Sequence, residues 1–133
     1  MEAVADTSIV IALENASEPN PDLTGIVVAV STLTWSEMAV GLHTATGVVE
    51  LGRRLRALQD LRESLPQTLP YDDACVAAYH RVLDRVLERG GKPKARQFDR
   101  MIAATALAHG LPLVTRDMAD ARLLDGLVEI LER

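Results

Sequence analysis

The sequence holds a single cysteine, Cys75, in 133 residues. An intrachain disulfide is therefore excluded, and one lone thiol suits a reducing, cytoplasmic compartment. Long apolar runs are missing as well: no stretch reaches the roughly 18–20 residues that a membrane-spanning helix needs. The opening MEAVADTSIV has no basic n-region and no small-residue cleavage site, so no secretory signal is expected. Positive charge is in the minority, with 14 Lys and Arg against 19 Asp and Glu and a formal net charge of −5. That balance argues against a general nucleic-acid binder of the basic-patch kind. There is no GxSxG elbow, no GxxxxGK[ST] loop and no GxGxxG turn. No cysteine and histidine set has zinc-ligand spacing. His43, His80 and His109 fall on expected helices with no serine or cysteine nucleophile beside them.

What is present is ordinary for one soluble globular domain over residues 1–133, with 48% hydrophobic and 25% charged residues. Ala3–Ala5 reads as a first strand, Asp6-Thr7-Ser8 as a turn, and Ile9–Leu13 as a helix. Asn15–Pro21 is a loop, because its prolines and small polar residues oppose regular structure. The β-branched run Ile26–Val30 is the clearest strand. Thr34-Trp35-Ser36-Glu37 opens a helix running through Leu42 towards Gly47, with Trp35 read as a packing residue. A further helix, Val49–Glu63, carries Leu51, Leu55, Leu58 and Leu61 on one side. Pro66–Pro70 is a short extended piece. Asp72 or Asp73 caps a long helix that ends at Gly90-Gly91, with Val76, Tyr79, Val82, Leu83, Val86 and Leu87 as its apolar face and Cys75 in or near the core.

The segment QFDRMIAATALAHGLPLVTRD, Gln97–Asp117, concentrates the signal. Ile102, Ala106 and Leu107 recur at helical spacing, Gly110 ends the helix and Pro112 prevents it from resuming. Leu113–Thr115 is apolar enough for a buried parallel strand. A short helix around Ala119–Leu123 and a last strand, Leu127–Leu131, complete the chain. Short strands alternating with helices, without repeats or linkers, call for a parallel sheet with helices on both faces.

Four carboxylates fall at comparable places in that order. Asp6 follows the first strand and Glu37 the second, Asp99 opens a helix, and Asp117 lies just past the strand Leu113–Thr115. Ligands of an open α/β sheet bind at the carboxyl ends of its strands, so these four are expected to share a cleft. An oxygen-rich set suits a hard divalent ion such as Mg²⁺ or Mn²⁺, and the chemistry that follows is hydrolysis of a phosphodiester by a metal-activated water. Each acid also has a structural reading. Thr34-x-x-Glu37 matches a capping box, Asp99 suits a helix start, and Asp6 and Asp117 suit turns. Asp120 and Asp125 read as caps or surface residues. Arg85, Arg89, Lys92, Lys94, Arg96 and Arg100 crowd one short segment before and around Asp99, either as a solvated helix end or as a phosphate-contacting rim.

Asp6–Ser8 (DTS), Ser36–Gly41 (SEMAVG), Phe98–Asp117 (FDRMIAATALAHGLPLVTRD) and Gly126–Ile130 (GLVEI) resemble PIN-domain ribonucleases, and more narrowly the toxins of VapBC toxin–antitoxin pairs. The resemblance runs from end to end and is weakest over Val48–Leu65. It implies an α/β, three-layer α/β/α sandwich with a five-stranded parallel sheet. It also implies a metal-binding and catalytic quartet of Asp6, Glu37, Asp99 and Asp117, with Asp6 and Asp99 as the surest direct ligands. Ser8 and Thr115 would be hydroxyls that orient a carboxylate or a water. A homodimer and a cognate VapB-like antitoxin, whose tail presents a basic side chain to the acids, are implied too. Family members often carry Asp-Phe shortly after the TRD motif, whereas Asp120 is followed here by Ala121. The resulting expectation is a cytoplasmic, Mg²⁺- or Mn²⁺-dependent endoribonuclease, with Arg96, Arg100 and Arg116 as candidates to hold RNA phosphates. The competing readings are a non-catalytic partner-binding module of the same fold and a phosphatase- or receiver-type phosphotransfer domain. For the latter, the third residue of DTS is not the acid a phosphatase requires, and the last strand lacks a receiver's lysine.

Overall fold

A computed structural model describes residues 1–133. Five strands are interleaved with six helices, two of the crossovers carrying a pair of helices: β1 (Glu2–Ala5), α1 (Thr7–Glu14), β2 (Val27–Ser31), α2 (Thr32–His43), α3 (Val48–Ser64), β3 (Thr68–Leu69), α4 (Asp73–Glu88), α5 (Gln97–Ala108), β4 (Leu113–Thr115), α6 (Met118–Ala121) and β5 (Ile130–Glu132), with a 3₁₀ turn at Arg122–Leu124. All strand pairings are parallel, in the order β3-β2-β1-β4-β5. No helix is long and apolar enough to cross a membrane.

The period-two alternation of the central strands divides the core between the two faces. Val4 and Leu113 point to one side, where they pack with Ala78, Val82 and Val86 of α4 and Ile102, Ala103 and Ala106 of α5. Ala3, Ala5, Val30 and Val114 point to the other, against Ile9 and Val10 of α1, Trp35 of α2 and Leu61 of α3. The small residues of α5 let it lie close over the sheet. Its end is a full Schellman arrangement: Gly110 takes φ +64°, and the amides of Gly110 and Leu111 donate to Leu107 and Ala106 carbonyls at 3.1 and 2.9 Å. Trp35 is a packing residue as expected; its indole Nε1 donates to Thr68 Oγ1 at 3.1 Å, and the Arg62 guanidinium lies over its ring. Cys75 is buried.

Several expected boundaries move. The last strand begins at Ile130 rather than Leu127, because Gly126 turns at φ +86° and Val128 drops into the core as part of the turn. The apolar face of α4 is narrower than its composition suggests: Cys75, Ala78, Val82 and Val86 are buried, while Val76 and Leu87 face outward. Only the second half of the leucine series on α3 packs, through Leu58 and Leu61, and Leu51 and Leu55 stay exposed. The capping-box reading of Glu37 is also corrected. Helix α2 starts at Thr32, and Ser31 caps it by accepting from the Leu33 amide at 3.1 Å, so Thr34 and Glu37 are interior to the helix.

Candidate active site

The carboxyl edge of the sheet gathers the acids because β1 and β4 run almost directly into helix starts there and the start of α5 is brought to the same place. Asp6, directly after β1, is the N-cap of α1 and accepts from the Ile9 amide at 3.3 Å. Asp117, directly after β4 and Arg116, caps α6 in the same way, through the Ala119 amide. Asp99 stands in the first turn of α5. Capping therefore does not compete with a site here; it aims the carboxylates at one place. Asp6, Asp99 and Asp117 line a single small pocket together with Thr115 and Asp120. Glu37 lies beside it, on the wall of an adjoining groove formed by Ile11, Glu14, Met38, Leu42 and Leu58.

Asp6 is only 7% exposed and is held by hydroxyls. Ser8 Oγ donates to its Oδ1 and Thr115 Oγ1 to its Oδ2. The Arg116 amide donates to Ser8 Oγ at 3.0 Å and the Asp117 amide to Thr115 Oγ1 at 3.0 Å, so Asp6, Ser8, Thr115, Arg116 and Asp117 form one continuous network. Burial pushes the Asp6 carboxyl above the ordinary value; the hydrogen bonds from Ser8, Thr115 and Ile9 oppose that rise, and repulsion from Asp99 adds to it. Glu37 is raised in the same manner, first by burial, with repulsion from Asp99 and Asp6 adding to the effect, against one hydrogen bond from Thr7 at 2.8 Å. Thr7 Oγ1 in turn lies 3.3 Å from the buried Thr34 Oγ1. Mutual repulsion of this kind places all three acids within electrostatic reach of one another.

The donor set is entirely oxygen, which fits a hard divalent cation such as Mg²⁺ or Mn²⁺ and not a soft one. As they stand, however, no three of these carboxylates converge on a common point. A guanidinium stands between two of them. Arg96 Nε donates to Asp99 Oδ2 at 2.7 Å and Arg96 Nη2 to Asp117 Oδ2, bridging the starts of α5 and α6. These carboxylates hold the Arg96 guanidinium above its ordinary value; the hydrogen bond to Asp117 is the largest cause.

The other two arginines proposed as phosphate contacts are placed differently. Arg100 is 2% exposed, and its guanidinium is consumed by the Asp120 carboxylate, at 2.9 and 3.3 Å, and by the Lys92 carbonyl. It is a structural residue, and Asp120 is its counter-ion rather than a cap. Arg116 turns away from the pocket towards the Pro19 carbonyl and Glu18 on the α1–β2 loop. Sequence reasoning missed Thr7, Thr34 and the Arg100–Asp120 pair. Thr7 lies inside the DTS triplet and Thr34 inside the Thr34-x-x-Glu37 pattern, but nothing local pairs Arg100 with Asp120.

The PIN domain model matches residues 3–123. Over most of their lengths, the chain is 34% identical to ribonuclease VapC4 of Mycobacterium tuberculosis, covering 92% of this chain and 92% of that one. The crystal structure of VapBC-5, a member of the VapBC family of toxin–antitoxin systems from the same organism, is 30% identical, covers 98% of this chain and 96% of that one, and superimposes with a TM-score of 0.74. At 17% identity, VapBC2 from Rickettsia felis, solved bound to a DNA fragment from its promoter, shares the fold with a TM-score of 0.80 over 99% of this chain and 98% of that one. With its strand order, its edge of acids and this match across nearly its whole length, the chain belongs to the PIN domain family.

Proposed function

We propose that this chain is an endoribonuclease that hydrolyses RNA phosphodiesters, and the toxin half of a type II toxin–antitoxin pair. The observation that carries the reading is the meeting of Asp6, Asp99 and Asp117 in one pocket at the carboxyl edge of the sheet. Kinship to a chain named ribonuclease VapC4, and to a toxin–antitoxin complex at 30% identity, supports the substrate and the partner.

Asp6 and Asp99 would hold a Mg²⁺ or Mn²⁺ ion directly, with Asp117 and Glu37 completing its surroundings directly or through water. Such an ion supplies Lewis-acid polarisation of a phosphoryl oxygen and acidifies water near neutral pH. The protein's own part is positional. Ser8 and Thr115 keep Asp6 in one orientation, as buried partners of a ligand do. Glu37, fixed by Thr7 and raised by burial, accepts the proton of the incoming water. No serine or cysteine is placed as a nucleophile in the pocket, so water would attack the phosphorus directly; the new P–O bond forms as the bridging bond to a ribose oxygen breaks, and that oxygen leaves with a proton from solvent, without a covalent enzyme intermediate. Of the three arginines, Arg96 alone borders the pocket and is the one left to meet a flanking phosphate. The groove of Ile11, Met38, Leu42 and Leu58 beside Glu37 suits the apolar tail of an antitoxin, whose basic side chain would reach the acids. A homodimer and a cytoplasmic setting belong to the same proposal.

The test is sequencing of RNA 5′ ends after induction of the wild type and of Asp99→Asn. New ends at defined positions with the wild type alone are expected. The same ends at the same frequency from Asp99→Asn would overturn the assignment.

A further inference from the structure

Arg96 has an unusual backbone and an unusual place. It is the one non-glycine residue with positive φ, at φ 54° and ψ 40°, a conformation that side chains with a Cβ disfavour. The surrounding chain holds it there. The Arg100 guanidinium, clamped by Asp120 and 2% exposed, reaches back to the Lys92 carbonyl and pins the start of the loop. The Ala95 amide closes a turn onto the same Lys92 carbonyl at 3.2 Å, and the Arg100 amide returns to the Arg96 carbonyl at 3.1 Å. The result is a guanidinium delivered to Oδ2 of both Asp99 and Asp117, the sole cation among the residues lining the acidic pocket. Its side chain is 40% exposed, so it has solvent to swing into.

Resting on the metal-dependent reading above, we infer that Arg96 is a built-in gate on the metal site: its guanidinium and a divalent ion compete for the same oxygens of Asp99 and Asp117. A cation that binds those oxygens must first displace a fixed positive charge, so apparent affinity falls by the fraction of time the arginine is in place. Asp6 and Glu37 form no hydrogen bond or ion pair with Arg96 and stay oriented by their hydroxyls on either side of the exchange.

The experiment is calorimetric titration of Mn²⁺ into the full chain. Arg96→Ala removes the guanidinium; Arg96→Gly removes it and also relaxes the positive-φ backbone, covering the case in which the alanine variant folds poorly. Arg81→Ala, at an exposed position on α4, controls for the lost charge. Both Arg96 variants are expected to bind Mn²⁺ about tenfold more tightly than the wild type, which corresponds to an arginine seated about nine-tenths of the time. Their melting temperature should also rise further on addition of Mn²⁺, while Arg81→Ala follows the wild type. Equal or weaker binding by both Arg96 variants overturns the gate and leaves the nuclease reading standing. Absence of a divalent site in every protein tested overturns the metal-dependent reading and the gate with it.

Discussion

Thr115, the last residue of β4, donates its hydroxyl to the carboxylate of Asp6, the first residue beyond β1, across 109 positions of sequence. The contact exists because β1 and β4 are parallel neighbours paired at Ala5 and Val114, which brings their carboxyl ends level. Thr115 also accepts from the Asp117 amide, so one hydroxyl positions two of the acids. Thr115→Val keeps the shape and deletes both bonds. We expect Mn²⁺ affinity and RNA cleavage to fall by about 10–100-fold, the usual effect of losing a partner that orients a ligand, while Thr115→Ser retains most of both. Unchanged calorimetric affinity in Thr115→Val would show that Asp6 needs no such support.

The raised carboxyls of Asp6 and Glu37 carry a definite sign in stability. A group whose folded value lies above its unfolded one binds its proton more tightly in the fold. Its contribution is therefore complete below the ordinary values of 3.8 and 4.5 and is lost as pH rises through the higher folded ones. Without divalent ions, Asp6→Asn and Glu37→Gln should thus gain melting temperature relative to the wild type as pH rises from about 4 to about 7. The gap should shrink when Mn²⁺ is added to the wild type. Thermal melts across that range check it, and a gap that narrows with rising pH would contradict the burial argument.

The glycine that ends α5 admits a sharper stability test. Gly110 sits at φ +64° with open space where a Cβ would stand, so Gly110→Ala introduces backbone strain without a clash. A destabilisation of about 1–2 kcal/mol is expected from forcing a side chain into the left-handed region. Chemical denaturation should show it as a lower midpoint with unchanged slope. Since Pro112 and the strand β4 follow at once, a larger loss would mean that the turn also sets the position of Thr115.

The order of elements, the stop at Gly110 and the strand-end placement of Asp6 and Asp117 were legible because each is a local pattern with a local cause. What was not legible depends on partners far away in sequence. Thr34-x-x-Glu37 has the spacing of a capping box, but that spacing means something only relative to the helix start, and Ser31 sets the start earlier. Val76 and Leu87 counted towards the apolar face of α4 by composition, yet they point away from the stripe of Cys75, Ala78, Val82 and Val86. Arg96 and Arg100 look alike in a basic run. Which of them enters the pocket and which is buried is decided by Asp117 and Asp120, some twenty residues onward.

That last pair yields a large expected effect. Arg100 and Asp120 are 2% and 12% exposed in their side chains, and their bidentate contact joins α5 to α6 beneath the acidic pocket. Truncating one partner leaves the other charge buried and uncompensated, which costs about 3–5 kcal/mol. Asp120→Ala should therefore lower stability by that amount and loosen the Lys92 carbonyl that Arg100 also holds. Replacing both at once, as Arg100→Met with Asp120→Leu, removes the stranded charge and should recover most of the loss, because apolar pairs of similar volume often match a buried ion pair. A double-mutant cycle followed by urea unfolding measures the coupling. If Asp120→Ala costs less than about 1 kcal/mol, the level of an exposed ion pair, then solvent reaches the pair and it cannot be what fixes the loop that carries Arg96.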